Sequence, residues 1–520
     1  MGAETGLAVR YLPMGGRVRL ALAGLGGAAG ALGHAPFGLW ALALVGLATG
    51  LALTVPADGA RAAFRAGWAF GAGYFLVALH WIVEPFLVDI ARHGWMAPFA
   101  LILMAGGLAL FWGAGAALAS WSAGPRAGPA RRLAALAAWL TLAEICRALV
   151  LTGFPWTLVG GIWIDTPAAM MGALVGPYGL TLATWALAAL LAFGPLGGTW
   201  RGAVGALAVA VLAVTAAFWA GRARVAAAAV PPGAEAPVIR IIQPNAAQHL
   251  KWDPDYVPVF MERKLALTAE DGPVAPDAVV WPEVSLPYLL DGSLALQATI
   301  SEAAKGAPVF IGAQRIDVEG RLLNSMAVLA DGGAAARVYD KHHLVPFGEY
   351  FPGGMLAAWL GLEGLATTAL GGFSPGPGPR VLDLTEAGLG HVLPLICYEA
   401  IFPRYAQADG IRADWMVQVT NDAWFGTFAG PQQHLDQARM RAIEQGVPLV
   451  RSANTGISAV IDPAGRLVAA LPLGESGALD VALPSALPPT PFARTGSWPV
   501  FGLLLLALAG FAATRTRFRD

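Results

Sequence analysis

Three side chains in the C-terminal half are of the types that acyl transfer needs. Glu283 closes the run Val279-Val280-Trp281-Pro282-Glu283. Lys341 lies in Val338-Tyr339-Asp340-Lys341-His342-His343-Leu344-Val345-Pro346-Phe347-Gly348-Glu349-Tyr350, and Cys397 closes Leu393-Pro394-Leu395-Ile396-Cys397-Tyr398-Glu399. Each follows an apolar run, where layered α/β enzymes place their functional groups. A deprotonated thiol is a strong nucleophile, a carboxylate can take its proton, and an ammonium can stabilise both the thiolate and a tetrahedral oxyanion. Taken singly, each residue has a plainer reading: a helix-capping or solvated Glu, a surface Lys, a core Cys. The lysine stands out because the chain holds 29 arginines and only four lysines, Lys251, Lys264, Lys305 and Lys341. An ammonium is a compact charge with an adjustable pKa, whereas a guanidinium is planar and permanently charged.

The elements that must hold these groups are legible as short β-branched runs. They begin at residues 238–242, 278–281, 309–312, 392–396, 415–419 and 449–451, each bounded by Pro, Gly, Asp or Asn as buried strands are. Helical stretches at 255–270, 292–306 and 431–446 alternate with them, which predicts a layered α/β sheet. About 250 residues suffice for one domain with a substantial core. A proline-rich stretch at 484–497 reads as a linker.

Upstream the texture is different. The 520 residues are 56% hydrophobic and 13% charged, about half the charge of an ordinary soluble domain, with a net charge of −1. That composition excludes a disordered chain and a nucleic-acid binder, which needs a basic surplus. Twenty charged residues fall in 1–235 and 47 in 236–520, so a membrane part precedes a water-exposed part. Apolar runs long enough to span a bilayer are expected near 17–33, 38–56, 63–82, 96–120, 133–151, 170–193, 203–220 and 498–514. The first is read as a retained helix rather than a cleaved signal, because six more follow it. Arginines mark alternate loops: Arg10, Arg17 and Arg19, then Arg61 and Arg65, then Arg126, Arg131 and Arg132, then Arg201, then Arg515, Arg517 and Arg519. Arg222 and Arg224 break the pattern. It places both ends in the cytoplasm and residues 236–490 outside, the periplasm of a two-membrane bacterium. The expected domains are 1–235 with seven spans, 236–486 as the exposed catalytic part, and 487–520 as linker and eighth span.

Glu144 and Arg147, three apart in the fifth span, are placed to pair on one helix face. The outer turns His34-Ala35-Pro36-Phe37-Gly38 and Gly153-Phe154-Pro155-Trp156 read as interfacial anchors or, more sharply, as the rim of a lipid-access site. Cys146 reads as packing. With two cysteines, no CxxC and no Cys/His cluster of zinc spacing, neither a disulfide framework nor a metal site is expected, and no cofactor. The adjacent His342 and His343 would point apart on a strand.

The segments Trp281-Pro282-Glu283, Tyr339 to Tyr350 and Ile396-Cys397-Tyr398-Glu399 resemble the Glu-Lys-Cys signatures of the nitrilase superfamily. With seven spans before and one after, the chain resembles the apolipoprotein N-acyltransferases across nearly its whole length. Gln243-Pro244-Asn245, Lys251-Trp252, Thr420-Asn421-Asp422-Ala423-Trp424-Phe425-Gly426, Gln433-His434 and Arg451-Ser452-Ala453-Asn454-Thr455-Gly456 support this in order. The resemblance implies an α-helical membrane domain plus an αββα sandwich. It also implies a ping-pong reaction with Glu283 as general base, Cys397 as nucleophile and Lys341 as stabiliser of the tetrahedral intermediate. Glu349 would orient Lys341 or the incoming amine, and the Tyr398 amide would complete an oxyanion hole. Trp252, Tyr398, Glu399 and Trp424 would line the acyl or amine pocket. The implied partners are a phospholipid donor, phosphatidylethanolamine, and a diacylglyceryl-apolipoprotein acceptor, handled by a monomer in the bacterial inner membrane. Gly/Pro-rich loops around 352–378, with Trp359 and Phe373, would keep water from the thioester. Two other readings stand beside this one. A membrane-anchored nitrilase-like amidase would share the same three residues, and a transporter would carry an exposed sensor domain. The spans lack the several midplane charges a transporter needs.

Overall fold

A computed structural model of the chain describes residues 15–55, 59–196, 199–228, 232–233, 235–350, 352, 372–408 and 410–515. Arg10, Arg517, Arg519 and Trp359 of the Gly/Pro-rich loop lie outside the described residues. The chain forms two compact units, Met1–Val225 with Arg494–Asp520, and Ala226–Ala493.

In the first unit each of the eight expected apolar runs is helical: α1 (Gly16–Ala31), α2 (Trp40–Thr54), α3 (Ala60–Ala78), α4 (Ala97–Ala123), α5 (Pro129–Leu149), α6 (Gly172–Leu196), α7 (Trp200–Ala227) and the C-terminal helix Trp498–Ala513. Not all of them reach bilayer length. Among the described residues, Ile90–Ala123, Pro167–Gly194 and Trp200–Ala227 are long and apolar enough to cross. A fourth qualifies if the bent pair Ala60–Ala78 and His80–Leu87 counts as one span. α2 and Trp498–Ala513 are apolar but shorter, and α5 carries Arg131, Arg132, Glu144 and Arg147. Small residues let the helices approach closely. A Cβ on Gly27 of α1 would strike the backbone at Phe70 of α3, and one on Gly73 of α3 would strike Gly24 of α1. Glu144 and Arg147 pair at 2.7 Å, fully buried. The guanidinium also donates to the Trp156 carbonyl at 2.8 Å and the Phe154 carbonyl at 2.5 Å, while Trp112 Nε1 donates to Glu144 at 2.7 Å. The pair therefore neutralises itself and ties down the Gly153–Trp156 turn.

Among the described residues the second unit has twelve strands. The first five are β1 (Val238–Gln243), β2 (Ala278–Val280), β3 (Val309–Ile316), β4 (Leu322–Leu329) and β5 (Ala335–Asp340). β6 (Leu382–Leu384), β7 (Gly390–Ile396), β8 (Trp415–Thr420) and β9 (Leu449–Ala453) follow, then β10 (Ser458–Ile461), β11 (Leu467–Leu471) and β12 (Gly477–Ala482). They form two six-stranded sheets, ordered β12-β1-β2-β3-β4-β5 and β11-β10-β9-β8-β7-β6. The central pairs β1/β2/β3 and β7/β8/β9 are parallel. Their strands are apolar on both faces because both faces are covered. Between the sheets lies one core, in which Ile239, Ile241, Val280 and Phe310 meet Val392, Ile396, Val417 and Val450. α8 (Val257–Ala269) and α9 (Leu294–Ala303) cover the first sheet through Met261, Leu265, Ile300 and Ala304. α10 (Gly430–Gln445) covers the second through Leu435, Ala438 and Ala442. This is the αββα sandwich that the resemblance implied. The 484–497 stretch is strapped onto this unit over its first part, Arg412 donating to the Leu487 carbonyl and Thr490 to that of Glu444.

Candidate active site

All three sequence-derived residues stand just past strand ends and come together. Glu283 lies three residues beyond β2, Lys341 follows β5 directly, and Cys397 follows β7 directly. Lys341, Glu283 and Glu349 are 1%, 6% and 9% exposed, so their charges must satisfy one another. Lys341 Nζ donates to Glu283 Oε1 at 3.1 Å and to Glu349 Oε1 at 2.9 Å. Asn324, on β4, donates its Nδ2 to the same two oxygens, at 2.9 Å each. The outer oxygens are held by main chain: Asn421 N donates to Glu283 Oε2 at 3.0 Å, and Val345 N to Glu349 Oε2 at 2.8 Å. Burial alone pushes the Lys341 ammonium down, but Glu283 and Glu349 outweigh it and hold its pKa well above the ordinary lysine value. Lys341 is a fixed cation.

Cys397 leaves β7 with φ +50° and opens a short 3-10 helix, Cys397–Ile401. A non-glycine residue in that region is strained, and the sharp turn projects the thiol off the strand end. Burial, and then the Glu283 charge, push the thiol pKa up. Lys341 and a side-chain hydrogen bond with Thr420 oppose them without prevailing. Cys397 therefore rests as a thiol, not as a standing thiolate.

A buried polar network braces this turn from behind. Gln418 Nε2 donates to the Cys397 carbonyl at 3.2 Å, and His434 Nε2 lies 3.1 Å from the same oxygen. His434 Nδ1 is 2.9 Å from Asp422 Oδ1. Arg451 pairs with Asp422 and donates to Gln418 Oε1 at 2.6 Å. Burial would raise the Asp422 carboxyl, yet Arg451 and His434 beside it bring it down to about 2.

The resemblance implies that Glu399 lines the acyl or amine pocket. Its carboxylate is fully buried and taken up within the protein: it accepts from His342 N at 2.8 Å, His343 N at 3.3 Å, Ile396 N at 2.8 Å and the Tyr339 hydroxyl at 3.1 Å. Glu399 fastens the Lys341 segment to the Cys397 turn. The Tyr398 ring is buried, stacked on His343 and set edge-on to Phe402. The His342 and His343 rings contact Glu399 and Tyr405 respectively. Trp252 is 46% exposed and lines one partly open pocket with Glu283. Trp424 is half-buried in a 3-10 turn, Asp422–Phe425. Phe373 is half-buried, its amide donating to the Glu349 carbonyl at 2.9 Å.

Asn324 and Gln418 were not singled out in the sequence, and Thr420, Asp422, His434 and Arg451 entered it only through the resemblance, without a role. For Asn324, Gln418, Thr420 and Arg451 a signal existed: a polar side chain within or at the end of an otherwise apolar buried strand.

An αββα sandwich carrying Glu, Lys and Cys just past strand ends defines a nitrilase-type fold, and residues 240–488 match the family described as Carbon-nitrogen hydrolase. Residues 26–190 match the Apolipoprotein N-acyltransferase N-terminal domain. The apolipoprotein N-acyltransferase of Caulobacter vibrioides is 39% identical over 96% of this chain and 94% of its own length. That of Rhodopseudomonas palustris is 39% identical over 94% of both chains, and that of Bradyrhizobium diazoefficiens 41% over 88% of this chain and 87% of its own. The chain belongs to the apolipoprotein N-acyltransferase family. Among solved structures, an amidase from Nesterenkonia sp. aligns at 18% identity over 53% of this chain and 98% of its own, with a TM-score of 0.37.

Proposed function

We propose that the chain N-acylates lipoproteins by a two-step reaction through a thioester on Cys397. The observation that carries this is the buried Glu283–Lys341–Glu349 cluster beside a protonated thiol at a strained turn. In the first step Glu283 takes the thiol proton as sulfur attacks the ester carbonyl of a phospholipid. The oxyanion is met by the Lys341 ammonium and the Tyr398 amide at the start of the 3-10 helix. The carbon–oxygen bond breaks, Glu283 returns its proton to the departing alkoxide, and a lysophospholipid leaves. In the second step the α-amine of an S-diacylglyceryl cysteine attacks the thioester and Glu283 accepts its proton. The carbon–sulfur bond breaks, the thiolate is reprotonated, and an amide remains. An amide is more stable than a thioester, so the step runs forward without ATP. Glu349 shares Lys341 and keeps it charged through both steps.

The donor in this reading is phosphatidylethanolamine, and the enzyme works as a monomer in the bacterial cytoplasmic membrane. The alternating arginine loops support an eight-span layout with residues 236–490 on the periplasmic side. Trp252 and Trp424 are taken to face the lipid substrates. Mass spectrometry of protein incubated with phospholipid tests the reading. A hydroxylamine-labile acyl group is expected on Cys397, absent in Cys397→Ala and passed to an added S-diacylglyceryl peptide. Free fatty acid in place of acylated peptide would mark a hydrolase instead.

A further inference from the structure

Two of the four lysines are buried at a place the acyl-transfer steps do not use. Lys251 is 9% exposed and Lys264 6%. Lys251 Nζ donates to the Glu283 main-chain carbonyl at 3.3 Å and sits 5.2 Å from the Trp252 ring centre. Lys264 Nζ donates to the Ser285 carbonyl and lies 5.2 Å from the Trp281 ring centre. Each ammonium has three N–H groups and one hydrogen-bond acceptor, and among the described residues neither forms an ion pair. Burying a cation without a partnered anion is strongly unfavourable. Here two amines share one site, near enough to repel when both are charged: burial lowers Lys251 to about 8 against the pull of Glu283, and burial together with Lys251 lowers Lys264 to about 7, so near neutral pH Lys264 is only partly charged without an anion beside it.

Both line one partly open pocket together with Trp252, Val257, Phe260, Pro287 and Glu283. An anion between the two ammonium groups would fill their vacant donors and turn their mutual repulsion into two attractions. In a glycerophospholipid the phosphate is only a glycerol backbone away from the ester that Cys397 would attack. We propose that Lys251 and Lys264 form a subsite for the phosphodiester of the acyl donor, resting on the acyl-transfer reading above. The subsite holds the headgroup beside Glu283 during acylation, and aromatic walls give it an amphipathic mouth suited to a lipid.

The test compares two donors of the same acyl chain: phosphatidylethanolamine and an uncharged 4-nitrophenyl ester. Acyl-Cys397 formation is followed by intact-protein mass spectrometry. The readout is the ratio of kcat/KM for the two donors, which normalises any general loss. In Lys251→Met and Lys264→Met the ratio is expected to fall about tenfold or more, a loss of the size of one charge-assisted hydrogen bond. The change should lie in KM for the phospholipid. Lys251→Arg, which keeps the charge, should recover part of the ratio and serves if a methionine variant fails to fold. Glycerophosphoethanolamine should compete with the uncharged ester in the wild type and not in the variants. Competition by inorganic phosphate alone would mean a general anion site and overturn the headgroup assignment, as would an unchanged ratio. If the wild type forms no thioester from either donor, the acyl-transfer reading itself is what fails.

Discussion

Asn324 and Lys341 donate to the same two carboxylate oxygens, Glu283 Oε1 and Glu349 Oε1, all four contacts falling between 2.9 and 3.1 Å. One neutral amide and one ammonium thus close a four-cornered arrangement in which two carboxylates stand side by side without direct repulsion being left uncompensated. The amide adds no charge, so it positions both acids while leaving Lys341 as their salt-bridge partner.

Asn324→Leu should therefore disturb catalysis more than stability of the sheet. Hydrogen bonds to charged groups are worth about 1.5–3 kcal/mol each, so acylation of Cys397 is expected to slow by about 10- to 100-fold. Single-turnover acylation measures the rate, and thermal unfolding of the same preparation measures the sheet. An unchanged acylation rate would show that Asn324 does nothing for the acids.

Lys341→Arg preserves charge and should still abolish activity. The ammonium is 1% exposed and reaches both carboxylates from one compact point. A guanidinium is larger and planar, and would have to displace Asn324 or one of the acids. A fall of about a thousandfold in thioester formation is expected, comparable to removing an oxyanion donor. Wild-type turnover would refute the role assigned to this residue.

The state of the thiol has a spectroscopic consequence. Burial, and then Glu283, raise the Cys397 pKa, and an acid with a raised pKa stays protonated to higher pH. The thiolate absorbance near 240 nm, taken as wild type minus Cys397→Ser, should therefore show no step between about pH 6 and 9, unlike the activated thiols whose pKa lies at about 3.5–7.5. Glu283→Gln removes a charge that lifts the thiol, so its pKa should move down even while turnover is lost. A wild-type step near neutrality would replace base catalysis by a standing thiolate.

How much of this was readable in the chain follows from where each residue sits. Glu283, Lys341 and Cys397 were visible because each ends an apolar run, and β1, β2, β3, β7, β8 and β9 because β-branched residues fill strands buried on both faces. β4 was not, since Asn324 and Ser325 interrupt its apolar pattern to serve the site. β11 and β12 escaped notice because they are short, half-exposed and rich in Ala, Gly and Asp. The direction of a side chain at a turn is not encoded in such patterns. Glu399 adjoins the nucleophile in sequence, and only the +50° turn at Cys397 decides that its carboxylate faces inward. The pairing of Lys251 with Lys264 required the third dimension, because α8 and the loop before it had to fold onto Glu283.

That inward carboxylate separates a structural role from a substrate-binding one. Glu399 accepts from three backbone amides and the Tyr339 hydroxyl while fully buried. It joins the strand that ends in Cys397 to the segment that begins with Lys341. In Glu399→Gln one oxygen becomes an amide nitrogen, which would point its own hydrogens at some of these donors. The lost charge-assisted bonds, at about 1.5–3 kcal/mol each, should lower Tm by about 5–10 °C for a unit of this size. Turnover per folded molecule should fall as Lys341 and Cys397 drift apart, while KM for phospholipid and for acceptor peptide stays within about twofold, which is below 0.5 kcal/mol. Thermal unfolding and steady-state kinetics on the same preparation measure both. A raised KM with an unaltered Tm would put this carboxylate in contact with a substrate after all, and would require the Cys397 turn to open on binding.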